Sequence, residues 1–403
     1  MGKYDAFPPH FVVGLATSGH QVEGFNDAAD WSEFELIDGS QCRTPSGRGV
    51  EHFTRFRDDV RLFAALGMSG YRFSVEWSRV EPSEGVFDSG ALEHYRTVAL
   101  ACREMGLRPV ITLNHFTVPR WLYYDGGWTN PRAVDAFARY AERCARALGD
   151  VAEAFCTLNE PNLPMSAFYD RGGARFPLVA GREQPFPMCH AHMARDVTLA
   201  AHRKAVPIVR SFSDAPTGMT LSLHEHLAAE GAERRCREVV EQVETAFLEA
   251  ARGDDFVGVQ NYGRKLIGKA GLERWPGEVD FLGYDYSPGS LAKCIRNAIR
   301  ESGAACYVTE HGSCFPGDER RLAMVDDAFD EMAGCLRDGL DVRGYFHWCA
   351  FDAFEWTLGY DLIFGAIAVD RATMDRSPKP SAIRLGRVSR EISRNRDGGA
   401  NGK

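Results

Sequence analysis

The sequence predicts a closed (β/α)8 barrel, the α/β TIM-barrel class, in a single domain. Short β-branched or aromatic runs alternate with longer amphipathic stretches along the whole chain. No linker or low-complexity segment interrupts that alternation. Polar and charged residues gather at the C-terminal ends of the runs, the rim on which such barrels build their sites. Eight parallel strands close around an interior that side chains can fill.

In chain order, strands are expected near Phe11–Ala16, Tyr71–Val75, Pro109–Leu113, Ala154–Leu158, Gly218–Leu223, Phe256–Gln260, Cys306–Thr309 and Val342–Trp348. Helices fill the intervals. Val134, Phe137, Ala141, Cys144 and Leu148 recur at helical spacing, as do Leu322, Val325, Phe329, Met332 and Leu336. Residues 1–390 are expected to form the domain. Residues 391–403, polar and rich in Gly and Asn, are expected to fray.

Composition narrows the function. The 403 residues carry 47 basic and 56 acidic side chains, a net charge of -9, without a basic block. A nucleic-acid partner is not indicated. The apolar runs are too short to span a bilayer, so no membrane partner is expected. The opening Met1-Gly2-Lys3-Tyr4-Asp5-Ala6 lacks an apolar signal core, and Ala6 spoils a myristoylation match. The eleven cysteines are odd in number and without CxxC spacing. Reduced, mostly buried thiols and a cytoplasmic location follow as expectations.

No Walker loop follows a strand, and no dinucleotide GxGxxG does, so no cofactor is expected. His190, His192 and His202 lie on an Ala-rich amphipathic stretch without carboxylates at ligand spacing, which favours packing over metal binding. His224-Glu225-His226 follows a strand and is not the zinc-helix pattern; a place on the rim is open to it.

Two segments carry the chemistry. Thr157-Leu158-Asn159-Glu160-Pro161-Asn162 and Tyr307-Val308-Thr309-Glu310-His311-Gly312 each read as an apolar strand ending on a glutamate, followed by a sharp turn. Such carboxylates face a mouth rather than a core. Two of them on one bound molecule form the minimal apparatus for cleaving a glycosidic bond: one protonates the leaving oxygen, and the other attacks the anomeric carbon. Gln21, Glu76, His115, Gln260, Tyr262 and Trp348 fall at the same strand-end positions.

These residues resemble glycoside hydrolase family 1, the β-glucosidase family, from about Phe11 to about Leu385. The similarity rests on Phe11–Gly24, on Tyr71-Arg72-Phe73-Ser74-Val75-Glu76-Trp77-Ser78-Arg79, on Asn159-Glu160-Pro161 and Thr309-Glu310, and on Phe351-Asp352-Ala353-Phe354-Glu355-Trp356 with Gly359-Tyr360 and Phe364-Gly365. The resemblance implies a retaining β-glycosidase acting on small β-glycosides without metal or cofactor. It implies Glu310 as nucleophile and Glu160 as acid, then base. It implies Asn159 on the sugar 2-OH, and Gln21, His115, Trp348, Glu355 and Trp356 on the remaining hydroxyls and the ring face. Arg72 and Tyr262 would contact Glu310. Gln260 and Tyr262, two apart on a strand, point the same way and join the substrate-binding set. In a retaining site the two carboxyl groups stand about 5 Å apart.

Four positions depart from the family pattern: Phe116 for Trp, Thr117 for Asp, His311 for Asn and Ala353 for Asn. Gln260 takes a place usually held by Asn, and the segment between Glu160 and Glu310 is short. The outer part of the site is therefore expected to be wide enough for a bulky non-sugar aglycone. A charged Glu355 is expected to favour a neutral hexoside over a 6-phosphoglycoside through like-charge repulsion. Transglycosylation on the same machinery is the alternative, and a non-catalytic sugar-binding relative is a further one. The sequence does not read out the oligomeric state.

Overall fold

In a computed structural model, residues 2–400 of the chain are described, with side chains through residue 394. Eight strands form the barrel: β1 Val12–Ala16, β2 Gly70–Ser74, β3 Arg108–Asn114, β4 Ala154–Asn159, β5 Thr217–Ser222, β6 Phe256–Asn261, β7 Ala305–His311 and β8 Val342–Trp348. They pair in parallel in the order β1-β8-β7-β6-β5-β4-β3-β2 and close, β1 bonding to both β8 and β2. All eight predicted strands are present, with ends shifted by one or two residues.

The helices between them are α1 His52–Leu66, α2 Ser89–Glu104, α3 Arg132–Leu148, α4 Ala191–Arg210, a composite α5 running Glu233–Val240, Glu241–Thr245 and Ala246–Ala250, α6 Ser290–Ser302, and α7 Glu319–Arg337. Helix α8, Pro380–Ala400, follows β8 and packs on α1, α7 and β1. Val388 and Ile392 are buried on its inner face, and Arg390 donates to the Leu66 carbonyl at 2.6 Å, so tertiary burial outweighs the polar composition. Residues 401–403 lie outside the described residues.

Alternation along the strands splits the core in two. Outward residues such as Val13, Leu15, Ile111, Leu221, Val259 and Val308 pack beneath the helices. Inward residues fill the barrel with Phe256, Tyr307 and Phe346 beside small Ala16, Ala154 and Cys156. The large rings require glycine opposite them. A Cβ on Gly14 would lie 2.2 Å from the Gly70 carbonyl oxygen and 3.0 Å from the Phe346 ring. Inside, small residues let neighbouring strands close over bulky ones.

The two glutamate strands are irregular near their C-terminal ends. The pairing of β4 with β5 slips between Cys156 and Asn159, and that of β7 with β6 between Val308 and Glu310. Such slips bend a strand and re-aim its last side chains, a recurrent feature beside active sites. Among the described residues, no helix is long and apolar enough to cross a membrane. All eleven cysteines are free, and nine of them are buried.

Candidate active site

Arg72, from β2, lies fully buried at the centre of the barrel mouth. One terminal nitrogen donates to Glu310 Oε1 at 2.6 Å and to the Thr309 carbonyl at 3.2 Å. The other donates to Asn159 Oδ1 at 2.5 Å, and Nε donates to Thr112 at 3.1 Å. The planar fork of donors thus ties β2, β3, β4 and β7 together under the mouth. A buried cation needs this degree of satisfaction to be tolerated.

Asn159 Oδ1 also accepts from Gln260 at 2.9 Å and from Thr220 at 3.1 Å. Its amide nitrogen must then be the group facing His115 Nε2, 3.2 Å away. That makes Nε2 the acceptor and leaves the imidazole proton on Nδ1. His115 Nδ1 is buried and unpartnered. Burial and the nearby Arg72 hold the ring pKa well below its usual value, so it stays neutral. The ring stacks on Trp348 at 5.5 Å and offers one free N–H donor.

Glu160 sits in a turn bolted to β5. Its N–H donates to the Thr220 carbonyl at 2.8 Å. The Asn162 amide donates to the Ser222 carbonyl at 2.6 Å and accepts from the Ser222 N–H at 3.1 Å. These bonds hold Glu160 at φ 47, a conformation disfavoured for a non-glycine residue and frequent at functional sites. Phe116 and Trp356 are also left-handed, at φ 73 and φ 47, and their rings meet at 5.0 Å.

Seven of the sequence-predicted site residues line one cavity of about 290 Å³: His115, Glu160, Tyr262, Glu310, Trp348, Glu355 and Trp356. Gln21, Arg72, Asn159 and Gln260 are buried side chains outside that lining, and they brace it. Gln21 donates to Glu355 at 3.0 Å and to the Phe354 carbonyl at 2.7 Å. Glu76, expected on the rim, instead accepts from the His20 N–H, Asn26 and Thr117 and locks the loop after β1 to that after β3.

Of the histidines set aside as packing or surface residues, His202 is buried and faces Thr157 at 2.8 Å and Asp254 at 3.1 Å, whereas His190 and His192 are half-buried. His224 is not in the cavity lining but stands behind Ser222. His311 faces the Tyr345 hydroxyl at 3.1 Å.

The rest of the wall escaped the sequence reading. Trp31, Leu163, Pro187, Met188, Leu282 and Tyr284 come from loops and short helices and form an apolar flank. Ser222, at the C-terminal end of β5, could have been found by the strand-end rule that found the others.

The carboxyl groups differ in environment. Burial pushes Glu310 up, while the Arg72 cation and the Tyr262 hydroxyl, 2.5 Å from Oε2, pull it back. Glu160 is held well above the usual carboxylate range by burial and by the charge of Glu310. Glu310 is therefore the first of the pair to ionise. Burial raises Glu355 to about 8, opposed by Gln21. A carboxyl raised in this way repels a phosphate less than an ordinary, fully charged one.

Unpartnered buried acceptors remain at Glu160 Oε1, Gln21 Oε1 and Gln260 Oε1. No lysine or arginine is among the cavity-lining residues. Donors and acceptors without cations, set against flat indoles, suit a neutral polyhydroxylated molecule.

Comparison with known proteins agrees. The model of glycosyl hydrolase family 1 matches residues 3–266 and 280–391. Among solved structures, the β-glycosidase BGL167 is 42% identical with a TM-score of 0.92, covering 96% of this chain and 97% of that one. The β-glucosidase 1317 is 35% identical with a TM-score of 0.88, covering 94% and 98%. β-Glucosidase 47 of Arabidopsis thaliana is 28% identical, covering 93% of this chain and 83% of its own. On the fold, the cavity and these matches, the chain belongs to glycosyl hydrolase family 1 and is a β-glucosidase-type glycoside hydrolase.

Proposed function

We propose that the protein hydrolyses a neutral β-glucoside with retention, using Glu310 as nucleophile and Glu160 as acid/base. The observation that carries this is the asymmetry of the two carboxyl groups in one cavity. Glu310 is paired with Arg72 and Tyr262, whereas Glu160 Oε1 is unpartnered. The ionised Glu310 attacks the anomeric carbon. Glu160 gives its proton to the leaving oxygen. Once Glu310 is esterified its charge is gone, Glu160 stays ionised more readily, and it takes a proton from the attacking water.

Asn159, locked by three donors on its oxygen, keeps an N–H for the sugar 2-OH. His115 Nδ1–H and Glu355 read the other hydroxyls, Gln21 and Gln260 hold Glu355 and Asn159 in place for them, and Trp348 and Trp356 cover the ring. The cavity holds no cation for a phosphate, so a 6-phosphoglycoside is a poor substrate even with Glu355 neutral. The apolar flank favours an aryl or alkyl aglycone over a second sugar. Hydrolysis rather than transfer accords with relatives named β-glucosidases. A cytoplasmic site of action fits the free thiols.

The test is Glu160→Ala. Poor leaving groups should slow by about 10²–10⁴ while activated aryl glycosides suffer less, and azide should restore turnover and yield a β-glycosyl azide. Equal losses for good and poor leaving groups, without azide rescue, would remove Glu160 from the role.

A further inference from the structure

Helix α5 changes pitch at its middle turn, Glu241–Thr245. The Ala246 N–H that follows reaches back five residues, to the Glu241 carbonyl, so the turn is π rather than α. Such turns are rare and recur at functional sites. Two groups of this one point at the end of the barrel that carries Glu160. The Val243 carbonyl accepts from the Asn162 amide at 3.1 Å. The Glu244 carboxylate accepts from the His224 N–H at 2.8 Å.

Those contacts bracket Glu160. Asn162 follows it by two residues, and His224 follows β5, whose Thr220 carbonyl takes the Glu160 N–H at 2.8 Å. Both amide hydrogens of Asn162 go to carbonyls, those of Ser222 and Val243, and its oxygen takes the Ser222 N–H. The whole amide is therefore spent inside the protein. Asn162 is fully buried and is not among the cavity-lining residues, so it acts on the reaction through Glu160.

Glu160 holds a left-handed backbone, φ 47, which its surroundings must impose. Released on one side, such a residue relaxes toward ordinary backbone and carries its carboxyl away. Glu310 is moored separately, by Arg72 and Tyr262. We propose that the π turn of α5, acting through Asn162 and the backbone of His224, is the positioning element of the acid/base and leaves the nucleophile alone.

This rests on Glu160 being the acid/base. Giving a proton to the leaving oxygen and taking one from water both need the carboxyl in one place, and a displacement of about 1 Å can cost about 100-fold. An activated leaving group needs no proton, so its departure reports Glu310. The readout is kcat/KM for phenyl β-glucoside against dinitrophenyl β-glucoside.

Asn162→Ala should lower the first by about 10–100-fold and the second by less than about threefold. On the activated substrate kcat and KM should fall together, because the covalent intermediate then waits for water, and azide, which needs no base, should restore kcat. Glu244→Ala should show the same bias at about 3–10-fold. Glu244→Gln keeps an oxygen for the His224 N–H and should return both rates. A merely structural defect lowers both substrates alike. Equal losses in Asn162→Ala, no bias in Glu244→Ala, or the same bias in Glu244→Gln as in Glu244→Ala would overturn the proposal. Glu160→Ala, assayed alongside, separates the two failures. A leaving-group bias there but not in Asn162→Ala sinks the positioning element alone, whereas no bias in Glu160→Ala sinks the assignment of Glu160 beneath it.

Discussion

The floor and the flank of the cavity are built differently. The floor is a polar lattice on strand ends: Arg72, Asn159, Gln260, Thr220 and Glu310 exchange hydrogen bonds of 2.5–3.2 Å among themselves and their neighbours. The flank, Leu163, Pro187, Met188 and Leu282, is apolar and comes from connecting segments. A lattice of buried polar groups fails when one member is lost, because its partners are left unpaired. An apolar flank loses only contact area. The floor therefore fixes the reaction and the sugar, and the flank is free to set the aglycone.

Substitutions should break along that line. Glu310→Gln should lower turnover by at least about 10⁴-fold, since no other group supplies the bond to carbon. Arg72→Met should be the most damaging change to the floor outside the carboxyl pair. It strands Glu310 in a buried site, and by analogy with other broken buried pairs it should cost about 3–5 kcal/mol in chemical denaturation. A loss under about 1 kcal/mol would mean that the lattice does not depend on its cation.

Glu355 gives a pH signature. Its folded pKa of about 8 lies above the ordinary carboxyl value, so the folded state holds the proton more tightly than the unfolded one. Stability contributed by this group is present below the unfolded pKa and is lost as pH rises toward 8. Glu355→Gln should therefore raise the melting temperature more at pH 9 than at pH 5. Glucose should bind the unmodified protein more tightly as pH rises through the same window, since sugar hydroxyls donate to the ionised form. A flat pH response in both measurements would contradict the assigned environment.

The smallest effect belongs to the flank. Met188→Ala should change KM for aryl β-glucosides by about tenfold or less and should leave the preference for the sugar untouched. A change in sugar preference from Met188→Ala would erase the distinction between floor and flank.

The same division governs what could be read from the sequence. Short β-branched or aromatic runs alternating with amphipathic stretches located all eight strands. Polar residues at the ends of those runs, Glu160, Glu310 and His115 among them, located the cavity. That pattern did not single out Ser222, which the structure places at the C-terminal end of β5 in the cavity wall. Burial is not local, so Glu76 read as a rim residue although it closes a buried hydrogen-bond cluster, and Glu355 read as a charge. The flank stayed illegible because Trp31, Met188 and Leu282 sit far apart in sequence, in connections with no periodicity.

The central claim is that Glu310 forms the bond to the sugar. Incubating the protein with an activated 2-deoxy-2-fluoro β-glucoside, digesting it and mapping the modified peptide by mass spectrometry tests this directly. The account predicts one sugar per chain, on the peptide containing Glu310, with labelling lost in Glu310→Gln. A sugar carried on another carboxylate, with Glu310→Gln still labelled, would contradict it.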